Sequence, residues 1–366
     1  MSPPRVCEAC ARRTWLLGRL AAHLDLARAR IDELLGLDEL SLVAAVAGRE
    51  RDLVRRGLAD FDPGAEAARR DRAELEAVCR CDPGYPPALR ELPAAPAVLH
   101  VAGELARLHA LVSEPPVAIV GARRATEYGR ETAHGLAGQL ASAGLTVVSG
   151  MALGIDAAAH AGALAAGGVS LAVLPGGADR AYPAAHRRLH GQLRERGVAV
   201  SELGPGIAPR RWMFPARNRI IAALAAMTVV VQAGERSGAL LTAAWARRLG
   251  RALGAVPGHI RSPLSAGPHA LLRGGATLVA GAGEVLDAVY GADAARPGAD
   301  RSPPPPAAPL APPLAALLEA LADGEPPPAA FVRAGLDADR GLAALASLEL
   351  GGLVRRGAGG RYVVAW

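Results

Sequence analysis

The chain is 366 residues long, 51% hydrophobic and 21% charged, with a formal net charge of +6. At roughly 100–200 residues per domain this composition predicts two or three folded domains rather than a disordered chain. No run of 18 uncharged apolar residues occurs, the opening MSPPRVCEAC has no basic-then-apolar leader pattern, and the cysteines number four. A membrane span and a disulfide scaffold are thereby disfavoured, and a reducing, cytoplasmic compartment is expected.

In chain order, Leu16, Leu17, Leu20, Leu24, Ile31, Leu34 and Leu35 recur with a 3.6-residue period and predict a small helical domain over 1–75. Asp82 to Pro87 and Leu92 to Pro96 read as a turn-rich connector, followed by a short strand at Val98–Val101. From Val117 the rhythm changes. Strand-like runs at 117–120, 146–149, 170–174, 198–201, 228–232, 252–256 and 277–279 alternate with helical runs at 126–143, 155–166, 183–196, 215–226, 238–249, 267–273 and 283–290. This alternation predicts an α/β domain over 82–290, built on a doubly wound parallel sheet. Residues 291–313 are rich in Ala, Gly and Pro and read as a linker. Residues 314–366 read as three helices and a hairpin around Gly357–Gly360, the pattern of a winged-helix module.

Charge is unevenly spread. Residues 205–275 hold ten arginines against one acid, Glu235. Such a surface attracts a polyanion, although a solvated basic face explains the charge alone equally well. All 41 basic side chains are arginine, and Asn218 is the only asparagine in the chain.

The strand ends carry the candidate sites. Gly121-Ala122-Arg123-Arg124 follows the first strand of the alternation, where a helix N-terminus can take phosphate. It is not G-x-G-x-x-G, and the next strand ends Ser149-Gly150 without an acid for a ribose hydroxyl, which disfavours a nicotinamide or flavin. Asp156 and His160 lie four apart on one helix face, but no third metal ligand accompanies them, and an acid at a helix start ordinarily serves the dipole. Tyr182-Pro183 places a proline in the first turn of the next helix. In Phe214-Pro215-Ala216-Arg217-Asn218-Arg219, Pro215 fits the first helical position and puts Arg217 and Arg219 in the first turn or just beyond. Cations there oppose the helix dipole by a few tenths to ~1 kcal/mol each, which a bound anion relieves. With the rings of Trp212 and Phe214, these arginines offer charge for phosphates and faces for bases. Ser237 reads as a helix N-cap after the strand at 228–232, with Gly238 beside it. The pairs Cys7-x2-Cys10 and Cys79-x-Cys81 leave two readings, a four-thiolate zinc site and free thiols, and the unusual second pair favours the latter. Walker A, H-E-x-x-H, G-x-S-x-G and paired catalytic carboxylates are absent.

Taken together, Val117-Ala118-Ile119-Val120-Gly121-x-Arg123, Ser149-Gly150-x-Ala152-x-Gly154-Ile155-Asp156, Asp179-x-x-Tyr182-Pro183, Phe214-Pro215-x-Arg217-Asn218-Arg219, Glu235-Arg236-Ser237-Gly238 and Val256-Pro257-Gly258 resemble the DNA-processing protein A (DprA/Smf) family over about 82–290. The resemblance implies an extended Rossmann-like domain and no catalysis; no cofactor or metal is expected. It implies a protein that binds and protects single-stranded DNA, loads the RecA recombinase in natural transformation and recombination, and forms a homodimer away from membranes. By similarity, Arg123, Phe214, Arg217 and Arg219 are the implied DNA contacts, with Gly121, Ser149, Gly150, Ser237 and Gly238 contributing backbone or hydroxyl groups; Arg124 and Asn218 complete the candidate site. Leu153 departs from members that carry a basic residue there. The winged-helix-like segment has five Arg against six acids, which favours an accessory or partner-contact role. A competing expectation is an enzyme on nucleoside monophosphates, like the phosphoribohydrolases, but those carry Gly-Gly-x-Gly-Thr-x-x-Glu, and no Glu follows Ser237 at the equivalent strand end. A small-ligand sensor is a third.

Overall fold

The computed structural model describes residues 6–291, 310–350, 353–356 and 362–364. They fall into two compact units, Met1–Ala299 and Asp300–Trp366.

The first unit is built on nine strands: β1 (Glu76–Cys79), β2 (Val98–Ala102), β3 (Val117–Val120), β4 (Val147–Ser149), β5 (Ser170–Val173), β6 (Val198–Ser201), β7 (Met227–Val230), β8 (Ala252–Ala255) and β9 (Thr277–Leu278). They form one sheet in the order β1-β2-β6-β5-β4-β3-β7-β8-β9. Strands β3 to β9 pair in parallel, while β1 and β2 add an antiparallel edge. Every residue of β2 to β7 is buried, which is why these strands read as continuous apolar runs. Alternation along β3 sends Ala118 and Val120 into one core with Val148, Val173, Ile221 and Trp245. It sends Val117 and Ile119 into another with Leu136, Leu140, Ile155 and Val229. Helices on both faces make the predicted doubly wound sheet.

Two elements escaped the sequence reading: β1, and a helix at Leu105–Ser113. The first is four residues long, with Glu76 exposed at the sheet margin, too brief for a period to register. Within the connector, Pro87–Arg90 forms a helical turn, and the Tyr85 hydroxyl donates to Pro96 O at 2.8 Å. The N-terminal helices belong to the same compact unit as the sheet: Leu16, Leu20, Leu24 and Leu34 share a core with Leu203, Trp212, Met213 and Ala216.

The chain runs from β3 outward through β4, β5 and β6, then crosses back to β7 on the other side of β3. The β3/β7 boundary is therefore the topological switch point, where the crevice beyond the strand ends accepts ligands.

The second unit contains helices Pro312–Ala322, Pro327–Arg333 and Ala338–Leu350 and an antiparallel pair, β10 (Val354–Arg356) with β11 (Tyr362–Val364). Leu317, Leu321, Phe331, Leu345, Leu348 and Val354 form its core. Most of the expected linker (292–309) and the expected hairpin turn (357–361) lie outside the described residues. Among the described residues, no helix is long and apolar enough to cross a membrane.

The buried histidines His100 and His160 give the first unit an acid liability. His160 Nδ1 lies 2.7 Å from Ser170 Oγ, whose own proton goes to Val147 O at 2.7 Å, so the ring nitrogen is the donor. Burial lowers both His160 and His100 from the ordinary 6.5 to about 3. Below pH 6.5 the unfolded chain takes up protons that these rings refuse, so stability falls as pH falls toward about 3. The loss approaches about 1.4 kcal/mol per pH unit for each ring. Thermal midpoints measured down this range should show the decline, and His160→Gln should flatten it; an identical slope in the variant would refute the assignment.

Candidate nucleic-acid interface

A cavity of about 280 Å³ opens at the ends of β3 and β7. Its lining combines Gly121 and Arg123 after β3, Asp156 from the helix after β4, Phe214, Arg217 and Asn218 from the helix preceding β7, and Ser237 and Gly238 after β7.

The helix before β7 spans Met213–Leu224, so it begins two residues earlier than the sequence suggested, with Pro215 third rather than first. The third position also lacks an intrahelical acceptor for its N–H, so proline costs no hydrogen bond there. Arg217 is consequently more than a turn inside and buried. Its Nη1 donates to Val173 O at 2.7 Å and its Nε to Asn218 Oδ1 at 3.0 Å. Its Nη2 lies 3.7 Å from Asp156 Oδ2. Burial pushes the Asp156 carboxyl above its ordinary value, and the Arg217 charge opposes that rise. Burial likewise lowers Arg217, with Asp156 opposing. Asn218 Nδ2 donates to Gly238 O at 3.2 Å, so the single asparagine ties Arg217 to the loop after β7.

The rim is aromatic and cationic. Arg123 is exposed, with its Cζ 4.8 Å from the Phe214 ring centroid. Phe214 in turn meets Tyr182, with ring centroids 5.5 Å apart and planes tilted by 59°. A smaller recess beside the cavity is lined by Arg123, Gly150, Leu153, Tyr182, Phe214 and Arg217. Tyr182, 39% exposed, is the residue the sequence reading did not assign as a contact. Its only sequence signal is the Asp179-x-x-Tyr182-Pro183 motif.

The structure thus brings Gly121, Arg123, Phe214, Arg217, Asn218, Ser237 and Gly238 together. Gly150 lies directly behind Arg217, where a Cβ would collide with the guanidinium. Gly121 is required by packing, because a Cβ there would come within 2.6 Å of Ile155 Cγ1 and 2.8 Å of Gln232 O. Ser149 is buried beneath, its hydroxyl donating to Ile119 O at 2.6 Å, and it does not line the cavity. Ser237 precedes the cap: the N-cap position is Gly238, and Ser237 Oγ accepts weakly from Ala239 N at 3.4 Å.

Several expectations are corrected. Arg219 is 1% exposed and grips both carboxylate oxygens of Glu202, at 2.6 and 2.7 Å. Two residues along a helix turn the side chain by about 200°, so Arg217 and Arg219 face opposite ways. Arg124 is exposed but lies outside the cavity lining. Trp212 is 1% exposed, its indole N–H donating to Ala21 O at 2.9 Å, so it offers no stacking face. Pro183 is the N-cap of a short 3-10 turn at Ala184–His186, outside its first turn. Asp156 and His160 do not act as a pair, since the first faces Arg217 and the second Ser170.

Residues 76–290 match the family model of DNA recombination-mediator protein A. The putative DNA processing protein DprA of Mycobacterium tuberculosis is 49% identical over 193 residues, covering 51% of this chain and 50% of that one. Protein Smf of Escherichia coli is 43% identical over 204 residues, covering 56% and 54% respectively. The chain thus spans about half the length of these curated relatives. The X-ray structure of DprA from Streptococcus pneumoniae superposes with a TM-score of 0.63 at 32% identity, covering 78% of this chain and 98% of that one. With its switch-point cavity framed by the family's motifs, the chain belongs to the DNA recombination-mediator protein A family.

Proposed function

We propose that this chain binds single-stranded DNA without catalysing a chemical step, shields the strand, and delivers it to the RecA recombinase during transformation and recombination. A homodimer as the working form belongs to the same proposal, as does a winged-helix, accessory role for the second unit. The observation that carries the reading is the rim of Arg123, Phe214 and Tyr182 around a cavity floored by Arg217. Unpaired bases need flat faces, their phosphates need guanidinium groups, and a duplex offers no free base faces to such a rim. The ten-to-one excess of arginine over acid in 205–275 supplies the long-range attraction. Among the described residues, the one carboxylate lining the cavity, Asp156, is buried against Arg217, an arrangement that serves positioning rather than hydrolysis.

The test is fluorescence anisotropy with single- and double-stranded oligonucleotides across a salt series. Preference for the single strand is expected, with log affinity falling by about 0.7 per log unit of salt for each phosphate contacted. Phe214→Ala should cost about 1–3 kcal/mol of binding, and Arg123→Ala should weaken all sequences alike and reduce the salt slope. Affinity indifferent to salt, or to both substitutions, would sink the proposal.

A further inference from the structure

The four cysteines take no part in the proposed DNA site. Cys7 caps the helix Glu8–Arg19 and Cys10 lies in its first turn, whereas Cys79 ends β1 and Cys81 stands two residues on. These are distant in sequence, yet all four Sγ atoms lie within 4.8 Å of one another. Cys10 Sγ and Cys81 Sγ are 3.7 Å apart, and the Cys7 N–H points at Cys79 Sγ across 3.5 Å. A disulfide would bring two sulfurs to about 2.05 Å and leave the other pair unexplained. A tetrahedral metal with bonds of about 2.3 Å to sulfur instead sets neighbouring sulfurs roughly 3.8 Å apart. The strand missing from the sequence reading, β1, is what fixes the second pair: its ladder with β2 places Cys79 opposite Val98.

The surroundings suit a closed structural site. Cys10 and Cys79 are buried among Ala77, Ala97 and Val98, with Val6 and Cys7 packed against them. The start of the Glu8–Arg19 helix presents its positive dipole end to two of the four, and a backbone N–H faces a third.

We propose that Cys7, Cys10, Cys79 and Cys81 bind one Zn²⁺ as a four-thiolate site that clamps the first helix to the edge strand of the sheet. Binding displaces the thiol protons and changes no oxidation state. Four protein sulfurs leave no open position, so the metal is structural.

The experiment uses the full, tag-free chain expressed with zinc in the medium, dialysed, and analysed for metals by mass spectrometry. One zinc per chain is expected, and Cys10→Ser combined with Cys79→Ser should lower it at least tenfold. Because that double variant replaces buried residues, Cys81→Ser at the exposed ligand is the second probe. It should retain the fold by circular dichroism but surrender zinc to a chelator at a concentration at least tenfold lower. Exchange with Co²⁺ should produce the intense thiolate-to-metal absorption of a tetrahedral sulfur site. Iron in place of zinc would overturn the proposal. So would a metal-free chain whose four thiols all react in the folded state, or a zinc content unchanged by the substitutions.

Discussion

Arg219→Ala is expected to destabilise the first unit by about 3–5 kcal/mol, because it deprives the buried Glu202 carboxylate of the guanidinium that both its oxygens bond to. The pair is nearly inaccessible, at 1% for the Arg219 side chain and 9% for Glu202, and both oxygens are engaged by one guanidinium nitrogen. Arg219 Nε and Nη1 already lack partners, so the interior tolerates this cation only through Glu202. Glu202→Ala should be comparably damaging, whereas replacing both with leucine should recover most of the loss by removing both charges together. Urea denaturation of the single and double variants measures the cycle. The consequence for binding is specific. At a temperature where Arg219→Ala remains folded, its affinity for single-stranded DNA should match that of the unmodified chain, since the side chain points away from the cavity. A selective loss of binding in the folded variant would restore Arg219 to the site and contradict its packing against Glu202.

Gly150→Ala is expected to be nearly as severe, by a different route. The methyl group would occupy the space of the Arg217 guanidinium, which cannot withdraw without leaving Val173 O and Asp156. Ejecting Arg217 leaves the buried Asp156 carboxyl with backbone N–H groups but no paired cation, a loss of about 3–5 kcal/mol. Partial rescue is expected from adding Asp156→Asn, which removes the orphaned charge, and restoration of DNA affinity is not, because Arg217 remains displaced. Gly238→Ala is the contrast. A Cβ there meets nothing within 4 Å, so stability should change by less than about 1 kcal/mol. Its methyl group nevertheless stands on the cavity wall, so any loss of affinity in that variant reports on the ligand. A melting curve for Gly150→Ala superimposable on the parent would mean that Arg217 swings free, and would remove the floor of the proposed site.

The sheet was legible because its strands are buried on both faces and therefore announce themselves as apolar runs between helical periods. Gly121, Arg123, Ser237 and Gly238 were legible as residues at strand ends, and Phe214, Arg217 and Asn218 through their motif; the structure gathers them at a switch point. Arg219 was misplaced because the motif presents both arginines together, whereas two positions along a helix turn the side chain by about 200° and send one to the cavity and the other to Glu202. Trp212 was misplaced for the converse reason, since its partners Ala21 and Asp25 are nearly 190 residues distant and no local pattern names them. The cysteines stayed open between two readings because the pairs, 71 residues apart from Cys10 to Cys81, meet only once the short β1 has found β2.

The anchoring of Trp212 also bears on how the molecule can be divided. Asp25 accepts from the Trp212 backbone N–H at 3.0 Å, and the indole is seated among N-terminal leucines, immediately ahead of the helix that carries Phe214 and Arg217. The opening helices are thus the footing of the groove's principal wall, and a fragment trimmed to the family-matched residues would keep the arginines while letting that wall sag.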